Sequence, residues 1–221
     1  VVDGHSFAQD AIDRGATSLV AERKVYLADA TDVTEVVVSD SRKAMAYASA
    51  NYYDNPSRAF SLVGITGTNG KTTTTYLVEH IASVAGNRCG VIGTVGNKIA
   101  GAMEHAERTT PESPDLQKLF ARMRDAGCTV VAMEVSSHAL DLRRTWDTDF
   151  AVTAFTNLTQ DHLDYHHTFD DYFEAKALLF SKDYPARRVI SIDGSWGREL
   201  LRRCTAAGDE VITTGFDVSA Q

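Results

Sequence analysis

Apolar residues recur along this chain in two rhythms. From residue 60 onward, short unbroken apolar runs alternate with stretches whose apolar positions fall every three or four residues. That is the pattern of strands covered on both faces alternating with amphipathic helices. The runs predict strands at 62–65, 89–92, 129–135, 150–155, 189–192 and 210–213. Between the first two, Leu77, Val78, Ile81, Val84 and Ala85 share one face of a helix. Leu116, Leu119, Phe120 and Met123 give another helix its buried stripe; Ser113, Pro114 and Asp115 start it and Gly127 ends it. The fold class this predicts is α/β, with a mostly parallel sheet.

Residues 1–57 carry a smaller version of the same alternation. Ser6 and Gln9 have capping-box spacing ahead of Phe7, Ala8, Ala11 and Ile12, and Gly15 closes that helix. Strands are expected at 18–21 and 33–38, followed by a helix over 41–53 capped by Asp40. Asn55-Pro56-Ser57 is a turn signal, which sets the expected division into a small unit over 1–57 and a larger one over 58–221. The chain opens on Val1-Val2 without an initiator Met and shows one strand after residue 192. It therefore reads as a piece of a longer protein, with both units truncated.

The segment Gly64-Ile-Thr-Gly-Thr-Asn-Gly-Lys-Thr-Thr73 joins a predicted strand to a predicted helix. Glycines there let backbone N–H groups curl around a phosphate at a helix N-terminus, where the dipole also favours negative charge. Gly67, Thr68, Asn69, Gly70, Lys71, Thr72 and Thr73 are the expected nucleotide-binding residues, with Lys71 on the β- and γ-phosphates and the Thr72 hydroxyl on Mg²⁺. The strict pattern wants Gly where Ile65 stands, and the alternative is an ordinary glycine-rich strand-to-helix turn.

Composition narrows the field. Hydrophobic content of 43% and charged content of 24% are globular values, and a net charge of −8 argues against broad nucleic-acid binding. No run is long enough to cross a bilayer, so membrane insertion is not expected. Cys89, Cys128 and Cys204 are far apart and odd in number, which suits reduced thiols in cytoplasm.

Val130-Val-Ala-Met-Glu134 ends an apolar run in an acid, which would emerge at the carboxyl edge of a parallel sheet beside the phosphate loop. There it suits Mg²⁺; alone it would be a solvated strand-end glutamate. His162 follows the run 150–155 at the same edge and is a candidate ligand for a second metal ion, whereas His166 and His167 read as loop residues. Lys176 sits inside the apolar stripe of Phe169, Tyr172, Phe173, Leu179 and Phe180, on a helix that Thr168 and Asp171 start. Spacing alone favours a lysine that lays its methylenes on the core and snorkels outward. The other reading is a partly buried amine that loses its proton and adds carbon dioxide to become a metal-binding carbamate.

Together with Gly93-Thr-Val-Gly96, Thr109-Thr-Pro111, Glu134-Val-Ser-Ser-His-Ala-Leu140, Thr156-Asn-Leu-Thr-Gln-Asp-His-Leu-Asp-Tyr-His166 and Tyr172-Phe-Glu-Ala-Lys176, these residues resemble the Mur ligases, ATP-dependent amide-forming enzymes of peptidoglycan synthesis. Within that family the likeness is to the branch that adds a diamino acid, meso-diaminopimelate or L-lysine, to UDP-N-acetylmuramoyl-L-alanyl-D-glutamate. The resemblance implies a cytoplasmic ligase that uses ATP and Mg²⁺ and passes through an acyl phosphate. It implies Lys71, His162 and Lys176 as catalytic residues, Thr72, Glu134, His162 and a carbamylated Lys176 around magnesium, and Thr109, Thr110, Ser136 and Arg144 against the muramoyl dipeptide. Asp3-Gly4-His5 resembles part of the family's uridine-binding unit, and Leu142 stands where some members carry Gln. The family's C-terminal amino-acid-binding domain has no counterpart in these 221 residues, so the piece itself is expected to bind without turnover. Alternatives are a folylpolyglutamate synthase-like enzyme, another Mur ligase, or a nucleotide- and UDP-sugar-binding module without ligase activity.

Overall fold

The computed structural model describes residues 3–25 and 33–216. Its first helical segment starts earlier than the capping-box spacing predicts. The Asp3 carboxylate accepts from the His5 N–H and caps a 3-10 turn, Gly4–Phe7, that runs into α1 (Ala8–Asp13). With that end already capped, Ser6 donates to the Asp3 carbonyl and Gln9 to Asp13, so the Ser6–Gln9 box does not form. β1 (Ser18–Ala21) and β2 (Thr34–Val37) pair in parallel as a two-stranded sheet. Asp40 caps α2 (Ser41–Tyr52), accepting from the Lys43 N–H at 2.9 Å. Asn55 then adopts a left-handed turn at φ 45°, and Pro56 opens a 3-10 turn.

The larger unit begins with β3 (Ser61–Thr66), α3 (Lys71–Val84) and β4 (Cys89–Gly93). Two antiparallel strands follow, β5 (Gly96–Ile99) and β6 (Ala102–Glu104), then α4 (Ser113–Asp125), β7 (Val130–Glu134) and α5 (Ser137–Asp141). The chain continues through β8 (Val152–Phe155), α6 (Leu163–His166), α7 (Phe169–Ala177), β9 (Arg187–Ser191), α8 (Ser195–Ala206) and β10 (Val211–Thr214). One eight-stranded sheet results, ordered β10-β9-β8-β3-β7-β4-β5-β6 and parallel from β10 through β4. The β5–β6 hairpin was not readable as strands, because Gly96, Asn97 and Lys98 supply no apolar run.

Leu62, Val131 and Met133 of the central strands are fully buried, packed with Leu116, Phe120 and Met123 of α4. Tyr172, Phe173 and Leu179 belong to the same core. Each such side chain contributes about 1.5–3 kcal/mol of burial energy. Cys89, Cys128 and Cys204 are free, buried thiols whose pKa burial raises. Among the described residues no helix is long and apolar enough to cross a membrane.

α3 corrects the hydrophobic pattern. Its apolar stripe faces out: Leu77, Ile81 and Val84 are 54%, 67% and 76% exposed, while Thr75 and Glu79 are buried. The helix must start where Lys71 and Thr72 reach the phosphate loop, and that fixes its rotation about its own axis. Thr75 then satisfies its buried hydroxyl on the Lys71 carbonyl at 2.8 Å, and Glu79 pairs with Lys98 of β5 at 2.9 Å. Buried polar groups are tolerated when they are bonded in this way.

Candidate functional site

Register brings the chemistry together. Ile65 pairs with Glu134 and Thr66 with Phe155, so β7 ends level with β3, and β8 too, at the carboxyl edge where parallel sheets take their ligands. The glycine loop leaves β3 at this edge and enters α3 with Gly67 at φ 143° and Gly70 at φ 85°. A Cβ on Gly67 would lie 1.9 Å from Thr156 Oγ1 and 3.0 Å from the Asn157 carbonyl, so only glycine fits.

The loop is stitched to the segment after β8. Thr68 N–H donates to the Asn157 carbonyl at 2.9 Å and Asn69 N–H to Asn157 Oδ1 at 3.0 Å. Asn157 Nδ2 and Thr156 Oγ1 both donate to the Asn69 carbonyl, at 3.0 and 2.7 Å. Thr68 Oγ1 accepts from Thr159 N–H at 3.0 Å and lies 3.2 Å from the Tyr172 hydroxyl. Thr156, Asn157, Thr159 and Tyr172 lie in segments that carry the family resemblance, but sequence gave them no role at the site; the polar run after β8 pointed to His162 instead.

A cavity of about 300 Å³ opens over the loop, lined by Thr68–Thr72 together with Glu134, Ser136, His162 and Lys176. It holds the expected phosphate, metal and lysine positions in one place. Thr94 and Thr109 also line it. Both Glu134 oxygens are held by Thr94, Oε1 accepting its N–H at 2.9 Å and Oε2 its hydroxyl at 3.2 Å. Gly93 makes this possible, since a Cβ there would sit 2.2 Å from Glu134 Oε1. Thr94 stands in the Gly93–Gly96 segment of the resemblance, but its hold on Glu134 was missed, because one threonine after a strand does not show what it will touch.

Lys71 Nζ donates to the carbonyls of Gly67 and Thr68 at 2.8 Å each. Burial lowers its pKa, opposed by the charges of Glu134 and Asp161. Lys176 corrects the snorkelling reading: it is 1% exposed, and its Nζ donates to the Gly67 carbonyl at 2.9 Å and lies 4.5 Å over the Tyr172 ring. Burial first, and then the neighbouring charge of Lys71, push its pKa down to about 7, against the pull of Asp161.

His162 is exposed on the cavity rim at φ 52°, a conformation rarely held by a residue other than glycine. Its ring meets His138 edge-on at 4.9 Å and Tyr172 at 6.1 Å. His166 corrects its reading as a solvated loop residue: it is 6% exposed, stacked on Tyr172 at 5.1 Å and bonded to Ser137 Oγ at 2.9 Å. His167 is exposed, as expected.

Of the expected substrate residues, Thr109 and Ser136 line the cavity. Thr109 Oγ1 lies 3.0 Å from Thr94 Oγ1, and Thr110 Oγ1 donates to the Glu134 carbonyl at 2.8 Å while accepting from Ser136 N–H at 3.1 Å. Ser136 caps α5. Arg144 donates to the Thr110 carbonyl at 3.1 Å and pairs with Glu112 at 2.7 Å. Thr110 and Arg144 therefore stand behind the cavity wall, and Thr73 is exposed on α3 without lining it. Asp3 and His5 bond to each other at 2.6 Å on the N-terminal turn.

A family model described as the Mur ligase middle domain matches residues 65–221. The UDP-N-acetylmuramoyl-L-alanyl-D-glutamate–2,6-diaminopimelate ligase of Clostridium botulinum is 46% identical over 210 residues, 95% of this chain and 43% of that protein. Its namesake from Corynebacterium glutamicum is 53% identical over 182 residues, 81% of this chain and 35% of that protein. A solved structure of a ligase of the same name superposes with a TM-score of 0.82 at 27% identity, covering 98% of this chain and 44% of that one. A folylpolyglutamate synthase from Mycobacterium tuberculosis superposes at 0.64 with 18% identity over 80% of this chain and 46% of that one, a likeness of fold. The chain thus spans less than half the length of these relatives.

Proposed function

The chain belongs to the Mur ligase family, and on that premise we propose that it is the nucleotide-binding part of an ATP-dependent ligase that joins 2,6-diaminopimelate to UDP-N-acetylmuramoyl-L-alanyl-D-glutamate. The observation that carries the reading is the meeting of Lys71, Glu134, His162 and Lys176 with the glycine loop in one cavity. The relatives' names supply the amino acid and the nucleotide sugar.

The residues present fit a magnesium nucleotide. The Gly67 turn seats the loop against Thr156 and Asn157 and leads it into the start of α3, where no side chain caps the first N–H groups, which suit phosphate oxygens. Among the described residues no group of three or more His, Cys, Asp or Glu gathers, so an ion beside Glu134 and Thr72 would take its other oxygens from phosphate and water. That is magnesium's usual manner, and the ion would neutralise charge between the phosphates and the substrate carboxylate. Lys71 is placed to leave the Gly67 and Thr68 carbonyls for a phosphate, which offers it a full charge in place of two dipoles. Thr94 fixes the Glu134 carboxylate so that its direction is set before the ligand arrives. In its neutral form Lys176 can add carbon dioxide, turning an amine into a carboxylate that suits a second ion alongside His162. The D-glutamyl carboxylate of the acyl donor would then meet the γ-phosphate between these groups, with Thr109, Thr110, Ser136 and Arg144 holding the rest of the dipeptide.

The test uses the whole gene product. ADP release should depend jointly on the muramoyl dipeptide and 2,6-diaminopimelate. Release driven by a folate and glutamate would support the folylpolyglutamate reading instead, and nucleotide binding without release under any pairing would leave a binding module.

A further inference from the structure

One face of α5 holds the turn that carries His162. Ser137, His138 and Asp141 share that face, and each reaches α6. Ser137 Oγ lies 2.9 Å from His166 Nε2, and Asp141 Oδ2 accepts from the Tyr165 hydroxyl at 2.6 Å. Between these two ties the His138 ring lies tilted against Tyr165 at 4.1 Å and meets the His162 ring at 4.9 Å, with an interplanar angle of 89°.

α6 needs this support. It has four residues, too few to stand as a helix by itself. Left-handed residues bound it on both sides, His162 at φ 52° and His167 at φ 64°, and such conformations persist only where the surroundings impose them. The His162 carbonyl accepts from the Tyr165 and His166 N–H groups at 3.1 and 3.0 Å, so a shift of α6 carries His162 with it. The imidazole is weakly fastened by its own segment, because Asp161 Oδ2 stands 3.5 Å from Nε2, beyond the ordinary hydrogen-bond range. Of the two rings that meet it from other elements, His138 is nearer than Tyr172, which is 6.1 Å away.

Core packing does not account for the cluster. His162 is exposed, and His138 and Tyr165 are only half-buried, in a place where a core would use apolar side chains. The cavity wall includes His162 but not His138, so His138 can act there only through its neighbour. We infer that His138 is a positioning residue: packed between Tyr165 and His162, it sets the direction of the His162 imidazole over the cavity, and with it the grip of that imidazole on a divalent cation. The cation rests on the proposed function, whereas the placing of the ring rests on the packing itself. A metal-binding imidazole is usually directed by a hydrogen bond at its second nitrogen, and here ring packing supplies the direction.

The test uses the whole gene product. Mn²⁺ is titrated in the presence of a non-hydrolysable ATP analogue and followed by electron paramagnetic resonance, and the ring resonances of ¹³C-labelled histidine are read in the metal-free protein. His162→Ala identifies the His162 resonance and the ion that depends on it. His138→Ala should move that resonance and weaken that ion about tenfold, the scale on which loss of an orienting group acts. His138→Phe, which keeps a flat ring in place, should return both towards wild type, and neither variant should change metal-free nucleotide affinity. On a His162→Ala background, His138→Ala should weaken Mn²⁺ no further. An unmoved His162 resonance, a further loss on that background, failure of Phe to restore what Ala removes, or an equal loss of metal-free nucleotide binding would each overturn the inference. Should His162→Ala bind Mn²⁺ as wild type does, the ion leaves the proposed function and the resonance alone decides: moved in His138→Ala it upholds the placing of the ring, unmoved it overturns it.

Discussion

Lys71 and Lys176 donate to the same atom, the Gly67 carbonyl oxygen, at 2.8 and 2.9 Å. Two ammonium groups sharing one acceptor in a buried place repel each other, and the more deeply buried one bears the cost. Lys176 is that one, with its pKa pushed down to about 7. The pairing ties the phosphate loop to α7, while burial first and then the Lys71 charge hold the amine on α7 well below the usual lysine range.

The first consequence is a pH-dependent stability. An unfolded lysine titrates near 10.4, so between roughly pH 7 and 10 the unfolded chain binds a proton that folded Lys176 does not. Stability gained from this group is present above that window and lost as pH falls through about 7. Lys71 and Asp161 act on it from opposite signs, and Lys176→Met removes the titration altogether. Urea melts at several pH values should show wild type gaining stability with pH by up to about 1.4 kcal/mol per unit more than the variant. Parallel curves would contradict the buried amine.

Carbon dioxide should label the same nitrogen. The neutral amine attacks the carbon, a proton leaves the nitrogen, and a carbamate results. In ¹³C-bicarbonate, wild type is expected to show a protein-bound carbamate resonance that Lys176→Ala lacks, and short carboxylates should partly restore activity to that variant. A resonance surviving in Lys176→Ala would place the modification elsewhere.

Gly67→Ala tests the loop. A methyl group would fall on Thr156 Oγ1 in a backbone that L residues rarely adopt. The expected outcome is about 1–3 kcal/mol of lost stability together with loss of nucleotide binding. Unchanged nucleotide affinity would mean that the loop is not held as the structure places it.

The outward face of α3 gives an independent check. Leu77→Ser and Ile81→Ser should alter stability by no more than about 0.5 kcal/mol, whereas Leu116→Ala in the core should cost about 2–5 kcal/mol. Large losses from both α3 substitutions would show that the stripe is covered.

Much of this arrangement was legible in the sequence, and the rest was hidden for physical reasons. β3, β4 and β7 announced themselves because both faces of a central parallel strand are covered, which makes unbroken apolar runs. β5 and β6 did not, since an edge hairpin of Gly96, Asn97 and Lys98 is held by pairing more than by burial. The α3 stripe misled because periodicity gives a face without saying what it meets. Residues with unusual chemistry, such as Lys71, Glu134, His162 and Lys176, could be picked out one by one. Their fasteners, Thr94, Thr156, Asn157 and Tyr172, are common residues whose roles come only from position.

The account depends most on magnesium-dependent nucleotide binding at the glycine loop. Calorimetric titration of the intact protein with a non-hydrolysable ATP analogue, with and without Mg²⁺, measures it. Wild type should bind, and more tightly with Mg²⁺. Lys71→Ala should weaken binding by roughly 10- to 100-fold, and Glu134→Gln should remove most of the gain from Mg²⁺. Equal affinity in wild type and Lys71→Ala, or binding indifferent to Mg²⁺, would contradict it.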